Sequence, residues 1–263
     1  MPTGLGTEKT WLCPSLIDAA TDVTGNKTYT YNGGLATTAN TESGGTRAYD
    51  FDRTAAKAVL QGSAEVMDDT DSFAVSWWMK PSVLANSTNY YIADCRSKTG
   101  GSPNGWGLYI RNTGGNLFLG TVIMRGTLDS SAGGVTFNRI ASSVVGNGMF
   151  CTVNWDNTTS TWSLYVDGVF ESSYSPAVTG GPAVQSGTHI AVSNYSPAPS
   201  SVYSLDGLMD DFRVHDRVLT QAEITHLATS RGIEGGPGTP PTTGFYNPFI
   251  NKRFNNDYTR RIR

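Results

Sequence analysis

The segment NWDNTTSTWSLYVDGVFESS, residues 154–173, carries the clearest secondary-structure signal of the chain. Val153, just before the segment, and Trp155 are two positions apart, and Trp162, Leu164 and Val166 follow at the same spacing. A polar turn, residues 156–159, separates the two sets. This period of two is typical of half-buried strands. Asp167 and Gly168 then supply the positive φ angles of a tight reversal. The segment therefore predicts two consecutive antiparallel hairpins.

Residues 72–81, SFAVSWWMKP, form a second predicted strand, which is apolar on both faces. Because successive side chains of a strand point to opposite faces, Trp77 lies on one face and Trp78 on the other. Only one of them fits the same core layer, so the other is expected beneath a helix or loop, or in an interface. Pro81 ends the strand, since proline has no N–H for a sheet ladder.

Short apolar runs of this kind recur as far as residue 215, and nearly every gap between them holds Gly, Pro, Asn or Ser. Such residues supply the backbone angles of hairpin turns. The composition agrees, because only 16% of the 263 residues are charged, 30 are glycine and 11% are aromatic. The sequence therefore predicts an all-β fold, and β-sandwiches of this size form single domains.

Charge and cysteine content argue against several protein classes. The net charge of −3 gives no field that favours nucleic acid or an anionic membrane as the main partner. The three cysteines lack CxxC spacing, so buried free thiols are expected rather than disulfides or a zinc knuckle. The first residues lack the basic and apolar stretches of a signal peptide, and no apolar run has transmembrane length.

One segment near the C-terminus departs from the strand pattern. In LTQAEITHLATSRGI, residues 219–233, Thr220 and Glu223 have the spacing of a capping box, and Gly232 is a stop signal. The segment predicts a short helix. Glycine and proline then dominate, which divides the chain into a β domain (residues 1–235), a linker (236–243) and a C-terminal tail (244–263).

The tail, GFYNPFINKRFNNDYTRRIR, is basic and rich in aromatic residues, which disordered tails usually lack. Aromatic anchors beside arginines are enriched at protein interfaces. The tail is therefore predicted to dock onto a neighbouring subunit or larger assembly. The alternatives are packing onto its own acidic domain and binding of single-stranded nucleic acid. The predicted docking residues are Phe245, Tyr246, Phe249, Arg253, Phe254, Tyr258, Arg260 and Arg261.

Four segments together resemble the laminin G-like branch of the concanavalin A-like lectin and glucanase jelly rolls. They are SFAVSWWMKP (72–81), GWGLYI (105–110), MFCTVNWDNTTSTWSLYVDGVF (149–170) and LDGLMDDFRVHDRVLTQAEITHL (205–227). In that family an Asp pair on a strand, a turn and a Leu-x-x-x-Glu-Ile helix close the domain. The resemblance covers residues from about 15 to 232. It implies a two-sheet antiparallel jelly-roll sandwich with one short C-terminal helix, followed here by an extended tail.

The Asp pair is Asp210 and Asp211, which cannot both face solvent from one sheet because their side chains alternate. One carboxylate is therefore expected to accept backbone N–H bonds or to meet Arg213. The resemblance implies an alternative, in which an acidic residue at this place joins a calcium site with an early loop. Asp210 would then bind calcium together with the oxygen-rich side chains of Asp22 and Asn26.

Catalytic motifs are lacking in the sequence. A glycosidase needs two carboxylates about 5–10 Å apart, and glycosidase branches of this superfamily commonly carry Glu-x-Asp-x-Glu on one strand, which is not found here. His189, His215 and His226 lack the spacing of zinc ligands, and neither GxSxG nor a phosphate loop occurs. A non-enzymatic protein is predicted.

Sugar binding is the remaining function that the resemblance implies. Lectin-like jelly rolls hold glycans with an aromatic ring under the apolar face of the sugar and with nearby polar hydrogen-bonding groups. The candidates are Trp77 or its neighbour Trp78, Trp106, and Tyr195 in the segment SNYSPAPSSVY. The alternative for each residue is a core position, where large aromatic side chains of sandwiches usually lie.

These features favour a structural or adhesion protein. A sandwich rich in Gly, Ser, Thr and Asn with a C-terminal anchor resembles accessory virion proteins of phages, such as capsid decorations or fibres, whose jelly rolls bind host glycans. The analogy implies a place on the virion or extracellular surface. Two alternatives are a bacterial surface protein that assembles into filaments through the tail, and a free calcium-dependent lectin, which leaves the tail unexplained.

Overall fold

Two antiparallel β-sheets enclose the main hydrophobic core. The structure is a computed structural model that describes residues 5, 7–16, 23, 29–61, 72–96, 104–125, 130–177, 190–195 and 199–230. The predicted all-β, two-sheet antiparallel sandwich is confirmed. The predicted linker and tail lie outside the described residues.

Fifteen strands are described, and every pair of neighbouring strands is antiparallel. They are β1 (Glu8–Leu12), β2 (Tyr29–Asn32), β3 (Ala36–Ala39), β4 (Arg47–Phe51), β5 (Ala58–Gln61), β6 (Phe73–Pro81), β7 (Asn89–Asp94), β8 (Asn104–Thr113), β9 (Asn116–Arg125), β10 (Ser130–Ile140), β11 (Met149–Asp156), β12 (Thr161–Val166), β13 (Val169–Tyr174), β14 (Ile190–Val192) and β15 (Gly207–His215). The first sheet has the order β13-β12-β11-β6-β15-β4-β3, with β1 also paired to β15. The second sheet has the order β10-β9-β8-β7-β14-β5-β2.

Strands β11, β12 and β13 form the two hairpins that residues 154–173 predict. Trp155 pairs with Trp162 across the first hairpin, and their ring centroids lie 5.1 Å apart. Asp167 and Gly168 have φ angles of 52° and 83° in the second turn. Both angles are positive, as a two-residue reversal between twisted strands requires.

Strand β6 confirms the predicted division of its two faces. Phe73 and Trp77 enter the main core between the sheets. On the opposite face Trp78 joins a second cluster with Ile224 and Leu227 of helix α2 (Gln221–Ser230). Trp78 therefore packs with a helix, which is one of the expected placements.

Helix α2 begins with the predicted capping box. The backbone N–H of Thr220 donates to Oε2 of Glu223 (2.9 Å), and the N–H of Glu223 donates to Oγ1 of Thr220 (3.3 Å). The sequence does not indicate two shorter elements, helix α1 (Ala141–Val144) and a 3₁₀ turn (Arg53–Ala55). Segments of three or four residues are too short to show a helical period.

The predicted free thiols are confirmed, because Cys13, Cys95 and Cys151 are all buried and unbridged. Among the described residues, no helix has the length and apolar character that crossing a membrane requires.

Candidate functional site

Four tyrosines cluster on the outer face of the second sheet, and we call this cluster the tyrosine face. On β8, Leu108 and Ile110 enter the core, so the residue between them points outward. Its cross-strand partner on β7 points the same way, and the segment after β14 adds two more rings. The tyrosine face consists of Tyr91, Tyr109, Tyr195 and Tyr203.

The rings of the tyrosine face contact one another. The centroid of Tyr91 lies 5.5 Å from that of Tyr109, 5.6 Å from that of Tyr195 and 5.5 Å from that of Tyr203. Tyr195 and Tyr203 are 5.2 Å apart. Tyr91 is buried at the centre, and the other three rings are half-buried around it. The result is a partly exposed aromatic surface.

A buried ion pair supports one end of this surface. Arg96 donates to both carboxylate oxygens of Asp94 (2.9 and 2.8 Å) and to the hydroxyl of Tyr91 (2.9 Å). Its guanidinium carbon lies 4.9 Å from the ring centroid of Tyr195. Burial acts to lower the pKa of Arg96, but the hydrogen bonds and negative charge of Asp94 outweigh it and raise that pKa. Arg96 therefore stays charged and fixes two rings.

Two aromatic rings of this sheet lie over glycines on the neighbouring strand. A Cβ built on Gly120 would overlap Cζ, Cε1 and Cε2 of Tyr109, so the ring turns one face to the glycine. Phe118 covers Gly134 in a similar way. Both rings are half-buried. Tyr109 thus packs its ring on Gly120 while part of the ring stays exposed on the outer face of the sheet.

The structure places the predicted sugar-binding residues differently. Tyr195 belongs to the tyrosine face. Trp77 is 0% exposed and Trp106 is 1% exposed, both within the main core. Rings so enclosed present no face to a sugar, so both are corrected to core residues. Alternation along β8 is consistent with this placement, because Trp106 lies on the same face of the strand as the core residue Leu108, whereas Tyr109 lies on the opposite face.

The Asp pair lies in a bulge of β15 that buries both carboxylates. Asp211 has a φ of 51° and lies at the irregularity between β15 and β6. It accepts two hydrogen bonds from Arg213 (2.9 and 3.0 Å) and one from Nε1 of Trp11 (2.7 Å). Arg213 also donates to Glu8 of β1 (3.1 Å). The predicted pairing with Arg213 is therefore confirmed, and it fixes the first strand to β15.

Asp210 is held by neutral hydrogen-bond donors. Its oxygens accept from Ser43 (2.7 Å), Ser15 (3.2 Å), Cys13 (Sγ, 3.6 Å) and the N–H of Asp211 (2.8 Å). Burial raises its pKa to about 6, and the charge of Asp211 adds to this effect.

The described residues around Asp210 do not form a calcium site by themselves. Calcium binds six to eight oxygens, whereas the described groups around Asp210 are two hydroxyls, a thiol and an amide, and the single proton of the Ser15 hydroxyl is shared between Asp210 (3.2 Å) and the carbonyl of Arg47 (2.8 Å). No group of three His, Cys, Asp or Glu within the described ranges is placed to hold a metal. Asp22 and Asn26, the other predicted ligands, lie outside the described residues, so their part stays a prediction.

Replacing Asp210 with Asn is expected to change how stability depends on pH. The folded-state pKa of about 6 exceeds the ordinary 3.8, so ionising Asp210 destabilises the fold as pH rises from about 4 to 6. The free energy of unfolding of the Asn variant should therefore gain about 2 kcal/mol on that of the wild type between pH 4 and 7, since at pH 4 more than half of the unfolded chains already carry the ionised group. Urea titrations at the two pH values measure this.

Glu223→Gln is the matched control for that experiment. Hydrogen bonds from Arg217 lower the pKa of Glu223 to about 2. This carboxylate stabilises the fold above its ordinary pKa of 4.5 and loses that effect only as pH falls towards 2. The difference in free energy of unfolding between Glu223→Gln and the wild type should stay constant from pH 5 to 7. A constant difference for Asp210→Asn over pH 4–7 would contradict the proposed burial of the charge.

The predicted docking residues of the tail lie outside the described residues. These are Phe245, Tyr246, Phe249, Arg253, Phe254, Tyr258, Arg260 and Arg261. Their role stays a prediction.

Comparisons with known proteins agree with this architecture. The binding domain of Paraclostridial Mosquitocidal Protein 1 is similar with a TM-score of 0.64 and 15% identity, over 86% of this chain and 52% of that one. The botulinum neurotoxin serotype D binding domain has a TM-score of 0.61 and 18% identity, over 86% and 52%. The chain thus spans about half the length of these toxin domains.

A third similar structure has nearly the same extent as this chain. It is Domain 4 of AbnA, a GH43 extracellular arabinanase from Geobacillus stearothermophilus, in complex with arabinotriose. The TM-score is 0.59 and the identity 18%, over 85% of this chain and 98% of that domain. At such identities these likenesses establish the fold alone. No curated protein matches the sequence.

The sequence itself matches a family model over residues 52–225, which is more than half of the chain. That model is described as the concanavalin A-like lectin/glucanases superfamily. The match contains β6, most of both sheets and the start of α2. The chain therefore belongs to the concanavalin A-like lectin/glucanase superfamily.

Proposed function

We propose that this protein is a non-catalytic glycan-binding module and that the tyrosine face is its sugar site. The observation that carries the proposal is the half-buried ring of Tyr109, which lies over Gly120 on the outer face of the sheet. The apolar face of a sugar ring packs on such a surface, since aromatic rings offer a large contact area at a small loss of conformational freedom.

Polar groups beside the rings suit the hydroxyls of a sugar. Binding sites for small ligands combine apolar walls with a few fixed polar groups. Arg96 is fixed by Asp94 through Nε and Nη2, and no partner for its Nη1 occurs within the described ranges. Tyr109 and Tyr203 are half-buried members of the same cluster, and each carries a hydroxyl.

A binding role also agrees with the arrangement of the carboxylates. Asp94 and Asp211 each pair with an arginine, and Asp210 is enclosed among hydroxyls. Hydrolysis of a glycosidic bond needs an accessible acid and a second carboxylate across a cleft. None of these three buried groups offers that arrangement. The complex of the arabinanase domain with arabinotriose supports a binding role for this fold.

The experiment that tests the proposal is a glycan array probed with the full chain. Binding to at least one class of oligosaccharide is expected, and it should be lost when Tyr109 is replaced by alanine. Absence of binding across a broad array would contradict the proposal.

We further propose that the tail anchors this module in a larger assembly, with the sandwich directed outward, as in an accessory virion protein of a phage. Assembly of a bacterial surface protein into filaments is the alternative. The spacing of aromatic and basic residues in the tail supports either form of docking.

Deletion of residues 244–263 is expected to abolish association with particles or filaments. The unfolding midpoint of the sandwich should not change, because the two-sheet core lies within residues 8–215. Analytical ultracentrifugation of full-length and truncated chains measures the assembly. A truncated chain that assembles like the full-length one would refute the anchoring role.

A further inference from the structure

Arg111 lies beside the two rings that cover glycines. It follows Tyr109 by two positions on β8, so both side chains point to the outer face. Its cross-strand neighbours are Asn89 on β7 and Phe118 on β9. Side chains directly opposite one another in antiparallel strands lie about 5 Å apart at Cβ. Arg111 is therefore placed next to both rings.

The guanidinium of Arg111 differs from the other described arginines. Each of the other arginines whose side chains the structure describes donates a hydrogen bond to an oxygen; they are Arg47, Arg53, Arg96, Arg139, Arg213 and Arg217. In the same described part of the chain, Nε of Arg111 is buried and has no partner, and neither has Oδ1 of Asn89. No carboxylate in the described ranges forms an ion pair with Arg111.

The two rings have a spacing that suits consecutive sugars. Gly120 and Gly134, the glycines beneath Tyr109 and Phe118, pair across β9 and β10. Neighbouring strands lie about 4.8 Å apart, so a glycan crossing the strands would pass over both rings. A substituent of either sugar would then reach Arg111.

We propose that the glycan bound at this face is acidic and that Arg111 binds its carboxylate. The proposal rests on the glycan-binding function proposed above and specifies its ligand. Arginine presents two parallel N–H groups that match a carboxylate, and such charge-assisted pairs are stronger than neutral hydrogen bonds. The shared chemistry is a carboxylate on a sugar ring, which uronic acids and sialic acids both supply.

Calorimetric titration of the full chain with matched sugars tests the proposal. One pair is trigalacturonic acid against neutral galactotriose, and the other is 3′-sialyllactose against lactose. At least one acidic sugar should bind about 10- to 100-fold more tightly than its neutral counterpart, as expected for a hydrogen bond to a charged group. The pair that shows the preference identifies the source of the carboxylate.

Variants of Arg111 test whether this side chain causes the tighter binding of acidic sugars. Arg111→Gln should reduce the preference for acidic over neutral sugars to about twofold or less, while binding of neutral sugars persists. Arg111→Lys should retain part of the preference, because lysine keeps the charge but not the paired donors. Arg139→Gln, which removes the same charge from a half-exposed arginine paired with Glu171, should leave the preference intact.

The outcomes separate this proposal from the general one. If neutral and acidic sugars bind equally, glycan binding stands and the acidic ligand is refuted. If Arg111→Gln keeps the full preference, the role of Arg111 is refuted. If no sugar of either kind binds, both this proposal and the proposed function fail.

Discussion

Replacement of Arg213 by alanine is expected to lower the free energy of unfolding by about 3–5 kcal/mol. The side chain is only 1% exposed and neutralises two buried carboxylates, those of Asp211 and Glu8. Its guanidinium carbon also lies 4.0 Å from the ring centroid of Trp11. Removing it leaves two charges without their cation and removes the side-chain link between β1 and β15, although the backbone pairing of the two strands remains. Chemical denaturation of both proteins at pH 7 measures the loss.

Arg217→Ala is the matched control for this experiment. Arg217 also pairs with a carboxylate, Glu223, but its side chain is 41% exposed. Ion pairs in contact with water contribute about 1 kcal/mol or less. If the two alanine variants lose similar amounts of stability, the network around Arg213 does not hold the first strand as the structure indicates.

Tyr109→Ala is expected to weaken glycan binding by at least about tenfold. The substitution removes the ring on which the sugar is proposed to stack, and central aromatic residues of a binding surface commonly contribute 1.4 kcal/mol or more, roughly a factor of ten in affinity. Stability should change little, because the ring lies on the outer face of the sheet rather than in the core. Calorimetric titration with the best ligand from the array measures the affinity.

Two variants make the result specific. Tyr109→Phe keeps the ring and should retain most of the affinity, whereas Phe170→Ala removes an aromatic ring that is 51% exposed on the first sheet and should have no effect. Equal weakening by Tyr109→Ala and Phe170→Ala would mean that sugar binding does not depend on the tyrosine face.

The periodicity of single strands was sufficient to predict much of the fold. Residues 154–173 showed both hairpins, because Trp155 and Trp162 fall at matching positions around a turn and Asp167-Gly168 is a strong reversal signal. The helix was predicted from its capping box. These are local signals, which depend on neighbours in the sequence.

The site was harder to predict, because it depends on which strands become neighbours. Tyr91 and Tyr109 meet only through the pairing of β7 with β8, and Gly120 is needed on β9 for the ring to lie flat. Tyr195 and Trp106 were both candidates for a sugar platform, with a core position as the alternative, and alternation along β8 places Trp106 in the core. The size of a tryptophan side chain does not make it a sugar platform. The face of the strand on which a ring lies determines whether a sugar can reach it.

The Asp pair shows a second limit. Regular alternation predicts one buried and one outward carboxylate, yet the bulge at Asp211 buries both. A bulge adds a residue to one strand and is set by long-range pairing. The ion pair with Arg213 was predictable from its spacing of two along the strand, but the contribution of Glu8 from β1 was not.

The most direct test is a crystal structure of the full chain with its best array ligand, supported by titration in solution. A sugar ring stacked on Tyr109 is expected, with the glycan within hydrogen-bonding distance of Arg96 or Arg111. A ligand that occupies another surface and leaves all four rings of the tyrosine face uncovered would contradict it.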